Sequence, residues 1–301
     1  MQRPAKPFTP VRFRLQPPKN MIKVAIIGLG FVGNALANSF RSNTEVLKID
    51  PKLGTSVEDL ILFKADLIFI CLPTPMKDDG DQDTSIIENE INNLKNINIS
   101  CPIVIKSTVL PEVLTKLHKQ TKSLVYNPEF LREKHANEDL LNAKFNILGG
   151  NKDITKSISD FYDNHSLVKN LNHIYMDLVT ASFFKYSINS FLSLKVIFFN
   201  ELNSLFNKID SEISWDEFVE HLKNDKRIGD SHMNVPGHDG RYGYGGACFP
   251  KDSSAFLKFS IKNDSELKLL NESIGINNNL RSGYNSLIDR EIEQNITFKN
   301  K

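Results

Sequence analysis

The chain has 301 residues, 37 Lys and Arg against 36 Asp and Glu, a formal charge of +1, and 40% hydrophobic and 24% charged residues. At roughly 150 residues per domain it is long enough for about two domains whose cores need no disulfide or metal staples. The even charge argues against a nucleic-acid-binding surface or a polybasic membrane anchor. The longest clean apolar run, Leu67 to Leu72, is far short of the ~20 residues of a membrane span.

Residues 1–20 hold five prolines and no acidic residue, and read as a flexible extension ahead of Met21. There is no amino-terminal apolar stretch of the kind that marks a secretory signal. From Met21 the chain alternates strands and helices. Lys23–Gly28, Glu45–Ile49, Leu67–Leu72, Ile103–Ser107, Ser123–Tyr126 and Phe145–Leu148 are expected strands, with helices over Phe31–Arg41 and Thr84–Asn96. Continuous apolar strands separated by helices predict a Rossmann-like, doubly wound parallel sheet covered on both faces. Beyond about residue 170 the pattern becomes helical. Asp177 to about Ile209 lacks Gly and Pro and predicts one long helix with apolar residues on more than one face. A partner subunit could cover one of those faces. Shorter helices are expected over Trp215–Lys223, Ser254–Phe259 and Glu266–Asn285, separated by a glycine-rich loop over 229–246. The predicted organisation is an extension (1–20), a dinucleotide-binding domain (21–172), an all-helical domain built on the long helix (173–285) and a tail (286–301).

Gly28-Leu29-Gly30-Phe31-Val32-Gly33 follows a strand and opens a helix. The first two glycines permit a tight turn and close backbone approach to a diphosphate, the third close packing of helix on strand, and the helix start offers free N–H groups. Asp50 lies 17 residues beyond Gly33 at the end of the second strand. A carboxylate there accepts from ribose hydroxyls and repels the extra phosphate of NADP, so the expected cofactor is NAD.

Cys248 sits in Gly243-Tyr-Gly-Gly-Ala-Cys-Phe-Pro-Lys-Asp252. Flanking N–H groups and Lys251 would favour a nucleophilic thiolate; a buried, space-filling loop cysteine is the alternative. Lys185 and Asn189 stand at i and i+4 on the long helix and so share a face. They would meet an anion there, or Lys185 would merely snorkel to solvent. Glu129 and Glu133, in Tyr126–Glu133, follow a strand at the carboxyl edge of the sheet where open α/β sheets bind ligands; ordinary capping carboxylates compete with that reading. Ser107-Thr108-Val109 and Pro73-Thr74-Pro75 end strands at the same edge. The odd number of cysteines (Cys71, Cys101, Cys248), far apart in sequence, predicts reduced thiols and a cytoplasmic location. The seven histidines show no metal-ligand spacing, and no metal is expected.

These segments, with Lys185–Asn189 and Arg227-Ile228-Gly229, occur in an order that resembles the UDP-glucose/GDP-mannose dehydrogenase family over about residues 21–280. The pattern is nearest to its UDP-glucose-oxidising members. The resemblance implies two successive NAD-dependent oxidations of a sugar C6 alcohol to a carboxylate, UDP-glucose to UDP-glucuronate first among them. A GDP-mannose or UDP-N-acetylhexosamine substrate, or a catalytically weak NAD-binding dimer, are the alternatives.

It implies that Cys248 captures the aldehyde as a thiohemiacetal and then a thioester, and that Lys185 and Asn189 stabilise the oxyanion. Asp252 and Thr108 would handle water, and Glu129 would do acid/base work. Cofactor contacts would come from Gly28, Gly30, Phe31, Val32, Gly33 and Asp50, and from Thr74, Ser107, Thr108, Glu133 and Lys251. The sugar nucleotide would meet Glu129, Phe130, Leu131 and Glu133, then Lys185 and Asn189, then Tyr242, Tyr244 and Gly245. Arg227 would reach a neighbouring subunit's substrate phosphate, which implies a homodimer through the long helix, with neither nucleic acid nor membrane as a partner. Three departures stand out. The family normally carries a further α/β domain, whereas 49 residues follow Asp252; Lys134 replaces a usual glycine; and the stretch between Arg227 and Cys248 is long.

Overall fold

Six of the seven strands begin or end on residues read as apolar runs. Residues 21–169 and 171–298 are described by the structure, a computed structural model. The extension expected over 1–20 lies outside them. Among the described residues the strands are β1 (Ile22–Ile27), β2 (Thr44–Ile49), β3 (Leu67–Ile70), β4 (Ile103–Ile105), β5 (Leu124–Tyr126), β6 (Phe145–Gly150) and β7 (Asn172–Met176). They form one sheet in the order β2-β1-β3-β4-β5-β6-β7. Side chains alternate between its faces. Ala25, Ile27, Ile68 and Ile70 fall in one apolar cluster, Val24, Ile26, Leu67 and Phe69 in the other. The first is covered by α3 (Ser85–Asn96), α4 (Pro111–Gln120) and the start of α7 (Leu178–Phe206), through Ile87, Leu114 and Leu178. The second is covered by α1 (Phe31–Asn38), α5 (Ala136–Leu141) and α6 (Lys152–His165), through Leu36, Leu140 and Ile158. A one-turn helix, α2 (Leu60–Phe63), precedes β3. Being buried on both faces is why these strands read as unbroken apolar runs.

Two features depart from the expected all-parallel sheet. β6 runs antiparallel to β5, with Val125 opposite Gly150 and Tyr126 opposite Gly149. Gly150 permits this approach, and Gly149 lets the start of the long helix close on the strand. A Cβ at Gly149 would lie 2.5 Å from that of Ala181, and one at Gly150 would lie 2.9 Å from the Leu124 carbonyl oxygen. β7 pairs parallel with β6 at the sheet's edge. It is only half-buried and carries Asn172 and His173, so it presents no apolar run to find.

Helix α7 extends for 29 residues, about 43 Å. Asp177 caps it by accepting from the Thr180 N–H at 2.9 Å. It packs against α4, α9 (Phe249–Lys262) and α10 (Lys268–Ser282). α8 (Trp215–Leu222) closes a small aromatic cluster on its far end, around Phe199 and Trp215. α9 begins five residues earlier than its apolar periodicity indicates, because Pro250 is tolerated in the first turn, where its missing N–H costs nothing. Cys248 is therefore the residue that opens the helix. The segment expected to be a tail folds back: α11 (Asp289–Glu293) buries Glu291, and Ile296 is buried beyond it.

Candidate active site

The glycine turn is built by contact. Gly28 has φ +91°, and a Cβ on it would sit 2.7 Å from the Cys71 carbonyl oxygen at the end of β3. A Cβ on Gly33 would overlap the Gly28 carbonyl oxygen at 2.0 Å, whereas Gly30 faces open space. Thus the first and third glycines serve the turn and its packing, and the second leaves room for a ligand. Gly30 begins α1 with no capping side chain and no acidic residue in the first turn, so the first N–H groups remain available to an anion.

At the end of β2, Asp50 accepts from Leu29 N–H at 2.8 Å and Lys52 N–H at 3.0 Å. The Leu29 bond first, then that of Lys52, lowers its pKa. An ionised carboxylate is therefore held beside the turn. These groups line a cleft of about 650 Å³. The uncapped helix start, the bare Gly30 and the fixed carboxylate fit the diphosphate and a ribose of NAD.

The cleft is also lined from the helical half of the chain. Ala247, Cys248 and Lys251 line it, together with Thr74, Ser107, Thr108 and Glu129 from the sheet's carboxyl edge. Behind this lining is a hydrogen-bonded layer. Lys251 Nζ donates to Asp252 Oδ1 at 2.6 Å and reaches Thr74 Oγ1 at 3.5 Å. Asn189 Nδ2 donates to Asp252 Oδ2 at 2.7 Å. Burial by itself lowers the Lys251 pKa, but Asp252 and then Cys248 outweigh it, and the net direction is up. Lys185 Nζ donates to the Glu129 carbonyl oxygen at 2.5 Å, lies 4.0 Å from that residue's Oε1 and sits 4.7 Å above the Phe130 ring. The i, i+4 pair Lys185 and Asn189 thus faces the protein's interior, and the snorkelling alternative does not hold: Lys185 is 2% exposed.

The thiolate expected at Cys248 from its neighbours along the chain is not what its surroundings favour. Cys248 does not rest as a thiolate. Burial, the largest cause, and the carboxylates of Glu129 and Asp252 push its thiol up to about 11, against the opposing pull of Lys251 and Lys185. Apolar surroundings and two anions outweigh two cations.

Other expected site residues are dispersed. Phe31 and Val32 line the cleft. Glu133 lies in a smaller neighbouring hollow beside Phe31, paired with Arg290 at 2.8 Å. Phe130 packs on Phe145 and Phe184, and Leu131 N–H donates to Glu129 Oε2 at 2.5 Å. Tyr244 is buried and held at both its backbone N–H and C=O by Asn277. Tyr242 is exposed, and Gly245 lies against Arg281. Arg227 points into solvent and pairs with Asp225.

Sequence reasoning missed several groups. Lys106 lines the cleft, buried, with Nζ donating to Asn127 Oδ1 at 3.1 Å. Burial, reinforced by Lys185, lowers its pKa to about 8. Its signal was a lysine directly after an apolar strand. Gln82 donates to the Thr108 carbonyl oxygen at 2.7 Å and steadies that loop. Arg290, Glu293 and Gln294, from the supposed tail, line the cleft too, and no local pattern announced them. Among the described residues, no group of three or more His, Cys, Asp or Glu could hold a metal ion. No helix among them is long and apolar enough to cross a membrane.

Comparison with known proteins resolves what this cleft belongs to. Residues 52–166 match the model of the NAD-binding domain of the UDP-glucose/GDP-mannose dehydrogenase family, and residues 179–279 match that of its central domain. The chain belongs to that family. It is 32% identical to the UDP-glucose 6-dehydrogenase of Campylobacter jejuni over 272 residues, covering 78% of this chain and 67% of that one. It is 33% identical to the UDP-glucose 6-dehydrogenase of Rickettsia felis over 230 residues, covering 74% and 50%. The chain thus spans between half and two thirds of these relatives. A UDP-glucose dehydrogenase structure from Pyrobaculum islandicum superposes with a TM-score of 0.69 at 25% identity, covering 87% of this chain and 69% of that one. A 3-hydroxyisobutyrate dehydrogenase from Mycobacterium tuberculosis shares the fold over 97% of its own length, with a TM-score of 0.68 at 15% identity. Family membership accounts for the dinucleotide cleft, and NAD is the cofactor that the matched domain takes.

Proposed function

We propose that this chain is an NAD-dependent nucleotide-sugar 6-dehydrogenase that carries a C6 alcohol through the aldehyde to the acid, with UDP-glucose as its preferred substrate. The observation that supports this reading is the presence of Cys248 in the same cleft as Gly28 and Gly30. A single hydride step has no use for a thiol there; capture of an aldehyde does. The two relatives named UDP-glucose 6-dehydrogenase favour UDP-glucose over other sugars.

NAD, when bound, accepts a hydride from C6 in each oxidation. The chain does the rest. After the first oxidation the Cys248 sulfur adds to the aldehyde carbon, and the thiol proton leaves as the S–C bond forms. Because the thiol rests protonated, a base must act in that step. Both oxygens of Asp252 are engaged by Lys251 and Asn189, so Asp252 orients those two donors. Glu129 Oε1 is the carboxylate oxygen left to take the proton. Lys185, buried and cationic, stabilises the alkoxide that develops on the former aldehyde oxygen, with Asn189 beside it. The second oxidation leaves a thioester on Cys248. Glu129 gives up the thiol proton to solvent and is then free to deprotonate a water held near Thr108; the hydroxide adds to the thioester carbon, the C–S bond breaks, the departing thiolate takes the proton back from Glu129, and the acid leaves as its carboxylate with its proton passing to solvent.

The test is a stoichiometry. The chain incubated with NAD and a panel of UDP- and GDP-sugars should form two NADH per sugar acid, fastest with UDP-glucose. One NADH per product, or none with any sugar, overturns the reading.

The active form is proposed to be a homodimer through α7. Phe191, Phe198 and Leu205 are exposed at seven-residue spacing, with Phe183 and Val179 nearby. That apolar stripe matches a second copy of the same helix. A double variant, Phe191→Glu with Phe198→Glu, should elute as a monomer in light-scattering chromatography while wild type elutes as a dimer. A monomeric wild type at tens of micromolar would rule the dimer out.

A further inference from the structure

The carboxyl-terminal segment is locked beneath the glycine-rich loop that precedes the cysteine. Arg281, near the end of α10, and Glu291, in α11, both have fully buried side chains and meet at 2.6 Å. Arg281 Nη1 also donates to Asp239 at 2.8 Å, within the loop. Glu291 Oε1 accepts the Gly246 N–H at 3.2 Å, at its end, and Oε2 accepts the Ile288 N–H at 3.0 Å. Gly245 leaves no room to spare: a Cβ there would lie 1.9 Å from Arg281 Nη2 and 2.3 Å from Glu291 Oε1. Met76 N–H donates to the Gln294 carbonyl oxygen at 2.9 Å, which ties the same segment to the loop after β3. Cys248 follows Gly246 by two residues.

Stability alone gives little reason for such a pair. Two buried charges pay heavily for leaving water, and apolar replacements of similar volume often do as well. What the pair supplies is direction: a carboxylate with one oxygen on the Gly246 N–H of the loop and a guanidinium bridging it to Asp239. We infer that Glu291, held by Arg281, is a positioning residue for Cys248, fixing the backbone of Gly243–Ala247 so that the sulfur is presented to the cleft. The inference rests on Cys248 being the nucleophile, yet its first readout needs no turnover.

That readout is the rate of Cys248 alkylation by iodoacetamide at fixed pH, followed by peptide mass spectrometry, with Cys71 as the internal control. Two variants are compared with wild type: Glu291→Ala, and the pair Arg281→Met with Glu291→Leu, which removes both charges at near-constant volume and keeps the test available if the single variant fails to fold. In each folded variant Cys248 should alkylate about tenfold faster as the loop loosens, with the Cys71 rate unchanged. In the sugar assay kcat should fall tenfold or more while KM for NAD stays within twofold. A Cys248 alkylation rate equal to that of wild type in the folded double variant overturns the inference, whatever happens to kcat. If no sugar is oxidised by wild type, the reading of function fails and the alkylation result still decides the loop.

Discussion

Cys248→Ala should abolish formation of the sugar acid, lowering its rate by about a thousandfold or more, as removal of a covalent nucleophile does in other enzymes, while NAD binding stays within twofold of wild type. Of the two thiols that line the cleft, Cys248 stands beside Lys251 and Glu129, whereas burial pushes the Cys71 thiol up to about 12 and makes it the poorer nucleophile. Without Cys248 the aldehyde would have to hydrate before a second hydride could leave. The first oxidation does not need the thiol, so a burst of at most one NADH per site is consistent with the role. Cys248 opens α9, 215 residues beyond Gly33; the cofactor turn itself is built from Gly28, Gly30 and Gly33 and contains no atom of residue 248. NAD affinity measured by fluorescence quenching and acid measured by chromatography separate the two effects. Acid production by the alanine variant at wild-type rates would remove Cys248 from the mechanism.

Asp252→Ala should cost about 3–5 kcal/mol of folding stability, the range seen when one partner of a buried ion pair is removed. For a chain of this size that corresponds to a fall in melting temperature of roughly 5–8 °C. The side chain is buried, and it is the ionic partner of Lys251, whose own side chain is nearly as buried. With the carboxylate gone, Lys251 Nζ keeps only Thr74 Oγ1, at 3.5 Å, and Asn189 loses its acceptor. An ammonium left in that position must lose its proton or draw in water. Adding Lys251→Met to Asp252→Ala should return much of the lost stability, because the uncompensated charge is removed with its partner. Urea denaturation of the three proteins measures this directly. A single variant within 1 kcal/mol of wild type would show that the pair is not the buried unit that the distances describe. Turnover should remain low in the double variant even where stability returns, since Asn189 still lacks its orienting partner.

How much of this molecule was legible in its sequence follows from the range of the forces involved. The central strands were legible because burial on both faces selects unbroken Val, Ile and Leu. Helix α7 was legible because 29 residues run without a helix breaker. The Gly28–Gly33 turn and the segment from Cys248 to Asp252 were legible because their geometry is set by neighbours along the chain. The direction of β6 was not, since a strand's composition is the same whichever way it runs, and β7 was hidden by its half-exposed edge position. The reach of α9 back to Cys248 turned on Pro250, which breaks a helix interior and suits a helix start.

The chain by itself therefore determined the sheet's core, the dinucleotide turn and the identity of the groups able to react. Only the tertiary structure decided what those groups face. It set Cys248 in the cleft that Gly30 also lines, pushed its thiol pKa up by burial and then by two carboxylates, gave Glu133 to Arg290, and buried Glu291 against the loop. Proton affinity and ion pairing depend on charges and solvent within a few ångströms, and those neighbours arrive from segments far apart in the chain.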